Sequence, residues 1–223
     1  MPIYRISDLF DLTKTIAASL FEGHTYPWEV LPQISDYILQ LGPILPADRF
    51  DKVGDDVWVA KSAKVAQNAF VGGPCIIDEE AEVRHCAFIR GSAIVGKGAV
   101  VGNSTELKNV VLFDKVQVPH FNYIGDTVMG HRAHFGAGVV TTNVKSDKGL
   151  VAVKCSDETI ETGRKKVGTF AGDDAEVGCN SAMCPGCVLG RGVIVYPTSH
   201  VRGQVPHSHI FKAQDNIVPR TLG

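Results

Sequence analysis

From Val59 onward the apolar positions of the chain recur every six residues: Val59, Val65, Val71, Ile77, Val83, Ile89, Val95, Val101 and Leu107 are all Val, Ile or Leu. The step shortens to five at Leu112, resumes at Val118 and Ile124, shortens again at Met129, and runs on through Phe135 and Thr141. After an interruption it returns at Ala171, Val177, Met183, Leu189, Val195 and Val201. A second, smaller residue follows four positions after each step, as at Ala63, Ala69, Cys75, Ala81, Ala87, Ala93, Ala99 and Thr105. A period of six with two inward residues predicts a parallel β-helix of hexapeptide repeats, three hexads to each triangular coil. One coil cannot bury its own apolar residues, so stability has to come from stacked neighbours. Parallel crossovers are usually right-handed; the hexapeptide pattern resembles the left-handed exception, and a left-handed coil is the expectation.

The pattern divides the chain into three parts. Residues 1–50 have helical spacing: Ser7 is placed to cap a helix through Leu20, and a second helix is predicted from Trp28 to Leu41, stopped by Gly42-Pro43. This part is expected to be a small helical appendage packed on the start of the coil. Residues 51–206 form the coil, and residues 207–223 a C-terminal tail. Between residues 142 and 167 the ladder disappears into a long charged segment, predicted to project from the coil.

Composition narrows the possible functions. Charged residues make up 21% of the 223 and the net charge is -2, with no basic block, so nucleic acid is not an expected partner. The segment MPIYRISDLFDL lacks the basic-then-apolar order of a signal peptide, and no apolar run approaches the ~20 residues of a membrane span. A soluble, cytoplasmic protein is expected. Six cysteines in a chain of this length do not suggest a disulfide framework. Cys184 and Cys187 have CxxC spacing, but Cys187, like Cys75, falls on the small inward position and reads as packing.

Counting along the ladder also predicts a site. Arg90 and Lys108 each follow a ladder residue, are eighteen apart, and should stack outward on adjacent coils. Such a pair is either a solvated face or an anion clamp. His120 lies at the corner leading into the same face, Tyr123 projects from that face, and Gly136-Ala137 takes the place of His120 one coil on. These residues are expected to share one outer edge. An imidazole with an ordinary pKa of ~6.5 suits general-base chemistry there.

The run Glu106 to Asn143, with its P-H-x-x-Y-x-G-D and F-G-A-G elements, resembles the acetyltransferase domain of the bifunctional enzymes that make UDP-N-acetylglucosamine. The later run ETGRKKVG resembles the archaeal sugar-1-phosphate branch, and the likeness covers roughly residues 57–206. It implies an acetyl-CoA-dependent N-acetyltransferase acting on an amino-sugar 1-phosphate such as glucosamine-1-phosphate. By the same resemblance His120 is the general base, and Arg90 and Lys108 hold the phosphate. Tyr123 and Asn143 contact the sugar, and the backbone at Ala137 contacts the acetyl group. A homotrimer with sites between subunits is implied, with acetyl-CoA as co-substrate and no metal.

This sequence also departs from the family pattern. His134 stands where the bacterial enzymes carry a sugar-binding asparagine, and Cys179 where they carry a serine near the thioester. Lys148 resembles a family lysine with spacing one residue short, and Lys212 is a candidate contact to CoA. No glycine-rich nucleotide loop precedes the coil, so a separate nucleotidyltransferase is a possible partner. Two other readings stand beside this one: a non-catalytic scaffold for such a partner, and a zinc-dependent hydratase of the carbonic anhydrase type using His120, His131 and His134.

Overall fold

The computed structural model describes residues 2–220 as a left-handed parallel β-helix of three faces. The ladder is its inner wall. Val65, Val83, Val101, Val118, Phe135, Val177, Val195 and Phe211 stack on the first face. Val71, Ile89, Leu107, Ile124, Thr141, Met183 and Val201 stack on the second. Val59, Ile77, Val95, Leu112, Met129, Ala171, Leu189 and Val205 stack on the third. Most of these side chains are completely buried. The ladder glycines serve the spacing between coils: a Cβ on Gly102 would collide with the Pro119 carbonyl of the next coil.

Steps from the first face to the second, and from the third to the first, are always six residues. Every irregularity falls between the second face and the third. There the step is five at Leu107–Leu112 and at Ile124–Met129, and four at Val201–Val205. It is thirty at Thr141–Ala171, where residues 142–167 leave the coil. We call this edge the variable corner.

The excursion is a hairpin of strands Val151–Lys154 and Thr159–Arg164. It does not project freely as expected. Val151 and Val153 are buried and both lie against Gly186, where a Cβ would press on Val151 Cγ1 at 3.0 Å. Burying two valines favours the folded-back hairpin over an extended loop.

The N-terminal part also differs from expectation. Only short turns form: an α-helical turn Ile6–Leu9, 3-10 turns Leu12–Lys14, Ala18–Phe21, Pro27–Val30 and Gly42–Ile44, and one helix, Ile34–Leu41. Ser7 caps nothing; Arg5 holds the N-cap position. Nor is the segment confined to the start of the coil. It runs along the third face from the last coil to the first. Tyr4 N donates to Gln204 Oε1 (2.8 Å), Asp11 N to Asp173 Oδ2 (2.8 Å), and Asp114 N to Lys14 O (3.0 Å). The ring of Trp28 then lies 6.0 Å from Phe170, and Gly42 lies against the indole of Trp58. The cause is an outward column on this face, Trp58, Ile76, Ile94, Val111, Val128, Phe170 and Val188, which is apolar and buried throughout. A sheet apolar on both surfaces requires a cover, and the arm is that cover.

The tail likewise continues the coil. His209–Ala213 adds a last rung to the first face, and Asn216–Pro219 turns back on it as an antiparallel strand. Residues 221–223 of the expected tail lie outside the described residues.

At the arm's start, the Tyr4 ring stacks on His207 with centroids 3.9 Å apart. Arg191 N donates to His207 Nδ1 (2.7 Å), which requires that nitrogen unprotonated. Burial pushes the His207 pKa below the ordinary imidazole value, as does nearby Arg191, while Asp8 opposes the shift. A depressed folded pKa contributes stability that is complete above the unfolded value of ~6.5 and is lost as pH falls below it. Hydrogen exchange of residues 3–10, corrected for intrinsic rates, should therefore lose protection between pH 7.5 and 5.5. His207→Gln should remove that pH dependence. Equal protection at both pH values in the parent would contradict this assignment.

Candidate functional site

The variable corner collects polar side chains because its backbone is contracted there. Leu107 pairs with Ile89 and Lys108 with Gly125, so Arg90, Lys108 and Gly125 occupy successive rungs at the start of the corner. The eighteen-residue stacking of Arg90 on Lys108 expected from counting is present. In the five-residue steps, Asn109 (φ 57) and Asp126 (φ 49) adopt the left-handed conformation. This is a costly region that Asn and Asp tolerate best.

The Asp126 carboxylate, 3% exposed, is the centre of the corner. It accepts from Lys108 Nζ (3.2 and 3.3 Å), Asn109 Nδ2 (2.9 Å) and Asn143 Nδ2 (2.6 Å). Asn143 Nδ2 also reaches the Tyr123 hydroxyl at 3.3 Å. The phenol lies along its strand over Gly125, where a Cβ would come within 2.7 Å of the hydroxyl oxygen. Burial raises the Tyr123 pKa, with Asp126 adding to the rise and the Asn143 hydrogen bond opposing it. The phenol thus stays a neutral donor or acceptor at neutral pH.

Both cations of the expected anion clamp carry carboxylate partners. Arg90 Nη1 donates to Glu106 Oε1 (2.8 Å), and that hydrogen bond raises the guanidinium pKa further. This pair is open to water and readily exchanged for another anion. Lys108 is held by the buried Asp126, and the carboxylate fixes where the ammonium stands.

His120 lies at the preceding corner, between the first and second faces. It pairs with Asn103, whose Nδ2 donates to His85 O (2.9 Å), and its own carbonyl accepts from Gly138 N (3.0 Å). The buried Asn122 shapes this corner. Its Oδ1 accepts from His120 N (3.2 Å), while its Nδ2 donates to Gly136 O (2.8 Å) and Val139 O (3.3 Å). The His120 imidazole is exposed and makes no hydrogen bond among the described residues. One rung on, Ala137 O accepts from Asn180 N (2.8 Å), while the Ala137 N–H has no acceptor among the described residues. Cys179 follows, its Sγ 2.9 Å from where a Cβ of Gly136 would stand.

The structure thus brings together Lys108, Tyr123 and Asn143, stacks Arg90 over Lys108, and aligns His120, Ala137 and Cys179. The shared outer edge expected for Arg90, Lys108 and His120 is instead two consecutive corners on either side of the Tyr123 face. Tyr123 and Asp126 are three residue steps apart, about 10 Å of strand. The remaining candidates lie elsewhere within one chain. His134 is on the first face, with Nδ1 2.6 Å from Glu176 Oε1. Lys148 (φ 59) is exposed on the excursion, where Lys145 rather than Lys148 makes contacts, to Asp147 (3.0 Å) and Leu150 O (3.3 Å). Lys212 stands on the last rung of the first face, 5.8 Å from the Tyr196 ring centroid. The histidines of the zinc reading are also dispersed: His131 N donates to Asp173 Oδ1 (2.8 Å) at the third corner. Among the described residues no three His, Cys, Asp or Glu side chains are grouped to hold a metal ion. No helix among them is long and apolar enough to cross a membrane.

Counting residues did not find Asp126, Asn109 or Glu106. A signal was available: Asp126 ends the P-H-x-x-Y-x-G-D element, and both five-residue steps point to its corner.

Fold and site define a hexapeptide-repeat β-helix protein with a polar, contracted corner. The chain belongs to the family described as the GMPPB C-terminal domain, which matches residues 71–217. It is 30% identical over 174 residues to a bifunctional sugar-1-phosphate nucleotidylyltransferase/acetyltransferase of Sulfurisphaera tokodaii, covering 70% of this chain and 43% of that protein. It is 26% identical over 214 residues to the bifunctional protein GlmU of Methanocaldococcus jannaschii, covering 88% of this chain and 48% of the relative. The chain therefore spans less than half the length of these relatives. Among solved structures it is similar to a hexapeptide transferase family protein from Anaplasma phagocytophilum. That likeness has a TM-score of 0.41 at 15% identity and covers 74% of this chain and 81% of the other.

Proposed function

We propose that this chain is an acetyl-CoA-dependent N-acetyltransferase acting on an amino-sugar 1-phosphate, with His120 as general base. The observation that carries the reading is the hydrogen-bonded group Lys108–Asp126–Asn143–Tyr123 at one end of a short face that has the free imidazole of His120 at its other end. The name of the Sulfurisphaera relative supports the choice of acetyl group and sugar 1-phosphate.

In this reading the acceptor's phosphate displaces Glu106 from the water-exposed Arg90 and adds to Lys108, and the sugar lies against Tyr123 and Asn143. The amine attacks the thioester carbonyl. The new N–C bond forms, the C–S bond breaks, His120 takes the amine proton, and the CoA thiolate leaves. The unpaired Ala137 N–H is available to the oxygen on which charge develops. Cys179, one rung on, borders the thioester end of the donor. Lys148 and Lys212 are candidates for contacts made across subunits, as is His134.

A homotrimer belongs to the same proposal. Exposed aromatics support it: Phe70 and Phe88 stack edge-on at 5.4 Å on the site's own face, and Phe121 projects beside His120. A neighbouring copy would cover them and complete the donor groove. The test is a thiol-release assay with acetyl-CoA and a panel of amino-hexose 1-phosphates, with non-aminated hexose phosphates as controls. Turnover confined to amine-bearing acceptors is expected; no turnover with any of them would refute the reading.

A further inference from the structure

Beyond the variable corner, the excursion hairpin and the coil enclose a groove of about 620 Å³ that the proposed acetyl transfer does not use. Cys184 and His200 line it. Cys184 follows the ladder residue Met183, as Lys108 follows Leu107, and so stands in the same outward column. His200 is the outward residue of the next rung, paired in register with Ala182. This stacking sets Cys184 Sγ 3.0 Å from His200 Nε2.

The other cysteines described here differ. Cys75 and Cys187 point inward, and burial pushes both thiols up, Cys75 to about 12. Cys86 and Cys179 are exposed with no imidazole hydrogen-bonded to sulfur among the described residues, Cys86 Sγ accepting from Asn68 Nδ2 (3.5 Å), and Cys155, half-buried at the hairpin, donates to Glu158 O (3.6 Å). A base within hydrogen-bond reach speeds a thiol's reaction by taking its proton, and Cys184 has one in His200. The groove around the pair carries the cations Lys145, Lys154 and Arg202 against the carboxylates Asp147 and Glu161. Lys145 is already paired with Asp147 (3.0 Å), which leaves Lys154 and Arg202 against Glu161 alone.

We propose that Cys184 and His200 form a thiol-exchange site that takes the disulfide of a small anionic thiol. His200 accepts the Cys184 proton, and the sulfur attacks one sulfur of the incoming disulfide. A new S–S bond forms as the old one breaks, and the departing thiolate takes the proton back from His200. The net reaction converts one thiol and one disulfide into a mixed disulfide and one small thiol, with no other oxidant required. The adduct occupies the groove between hairpin and coil. The proposal does not depend on the acetyl-transfer reading.

The experiment treats the full chain with oxidised glutathione and follows intact mass and peptide maps over time. Cys184 should be modified at least ~10-fold faster than Cys86 or Cys179. His200→Gln, an exposed position whose substitution leaves the core intact, should slow Cys184 roughly tenfold at neutral pH and make its rate climb steeply with pH, as for a thiol with no imidazole beside it. Cationic cystamine should react more slowly than glutathione disulfide at Cys184. Preferential modification of Cys86 or Cys179, or an unchanged Cys184 rate in His200→Gln, overturns the site. Faster reaction with cystamine overturns the anionic ligand.

Discussion

His120→Ala should lower acetyl transfer to the best amino-sugar phosphate by roughly 10²–10⁴-fold, the usual contribution of a positioned base. Two features of the structure make the loss specific to chemistry. The imidazole is exposed and bonded to nothing among the described residues, so its removal opens no cavity and strands no partner. The backbone that positions it is held independently, by Asn122 and by the Gly138 N–H on its carbonyl. The fall should therefore appear in kcat with little change in KM for the acceptor, whose binding rests on the other corner. The measurement is steady-state thiol release by purified variant and parent with matched unfolding curves. A variant at the parental rate removes His120 from the mechanism.

Phe170→Ala should destabilise the protein by ~3–5 kcal/mol, the range for a large aromatic removed from a packed core. In a bare hexapeptide coil the residue before a ladder position points to solvent, and its truncation shifts stability by only about 0.5 kcal/mol. Here Phe170 is completely buried, with the Trp28 ring of the arm 6.0 Å away. The difference between the two expectations is several-fold, so denaturant titration decides between them. Trp28 belongs to the arm and Trp58 to the first coil, so tryptophan fluorescence and far-ultraviolet circular dichroism should report one common midpoint in the parent. A solenoid couples only neighbouring coils, but an arm bonded to Gln204, Asp173 and Asp114 ties distant coils into one unit. A cost below 1 kcal/mol for Phe170→Ala would mean the arm does not pack as described.

Much of the architecture was open to reading from residue spacing. The ladder assigned inner residues to faces, and the strand register reproduces it from Val59 to Val201. The stacking of Arg90 on Lys108 and the alignment of His120 with Asn103 and Ala137 follow from the same count. The third-face column Trp58, Ile76, Ile94, Val111, Val128, Phe170 and Val188 was equally visible. Its meaning was missed because apolar residues just before ladder positions look like part of the inner wall. The helical spacing in residues 1–50 misled for a related reason. The segment's apolar residues are placed to meet a flat sheet along an extended path, and only Ile34–Leu41 stays helical for two turns.

The sequence by itself determined what repeats: the inner wall, the three faces, and which outward residues share a column. Those are local matters, because strand alternation forces every side chain in or out once the register is set. Tertiary structure decided everything that joins residues of unrelated spacing. It put the four-residue step and the excursion at the corner that the five-residue steps mark, and buried the Asp126 carboxylate among Lys108, Asn109 and Asn143. It also set His120 a face's width from the cations and drew the arm over the third face. These outcomes depend on which buried charges find partners and which apolar surfaces find cover, and no period in the chain encodes either.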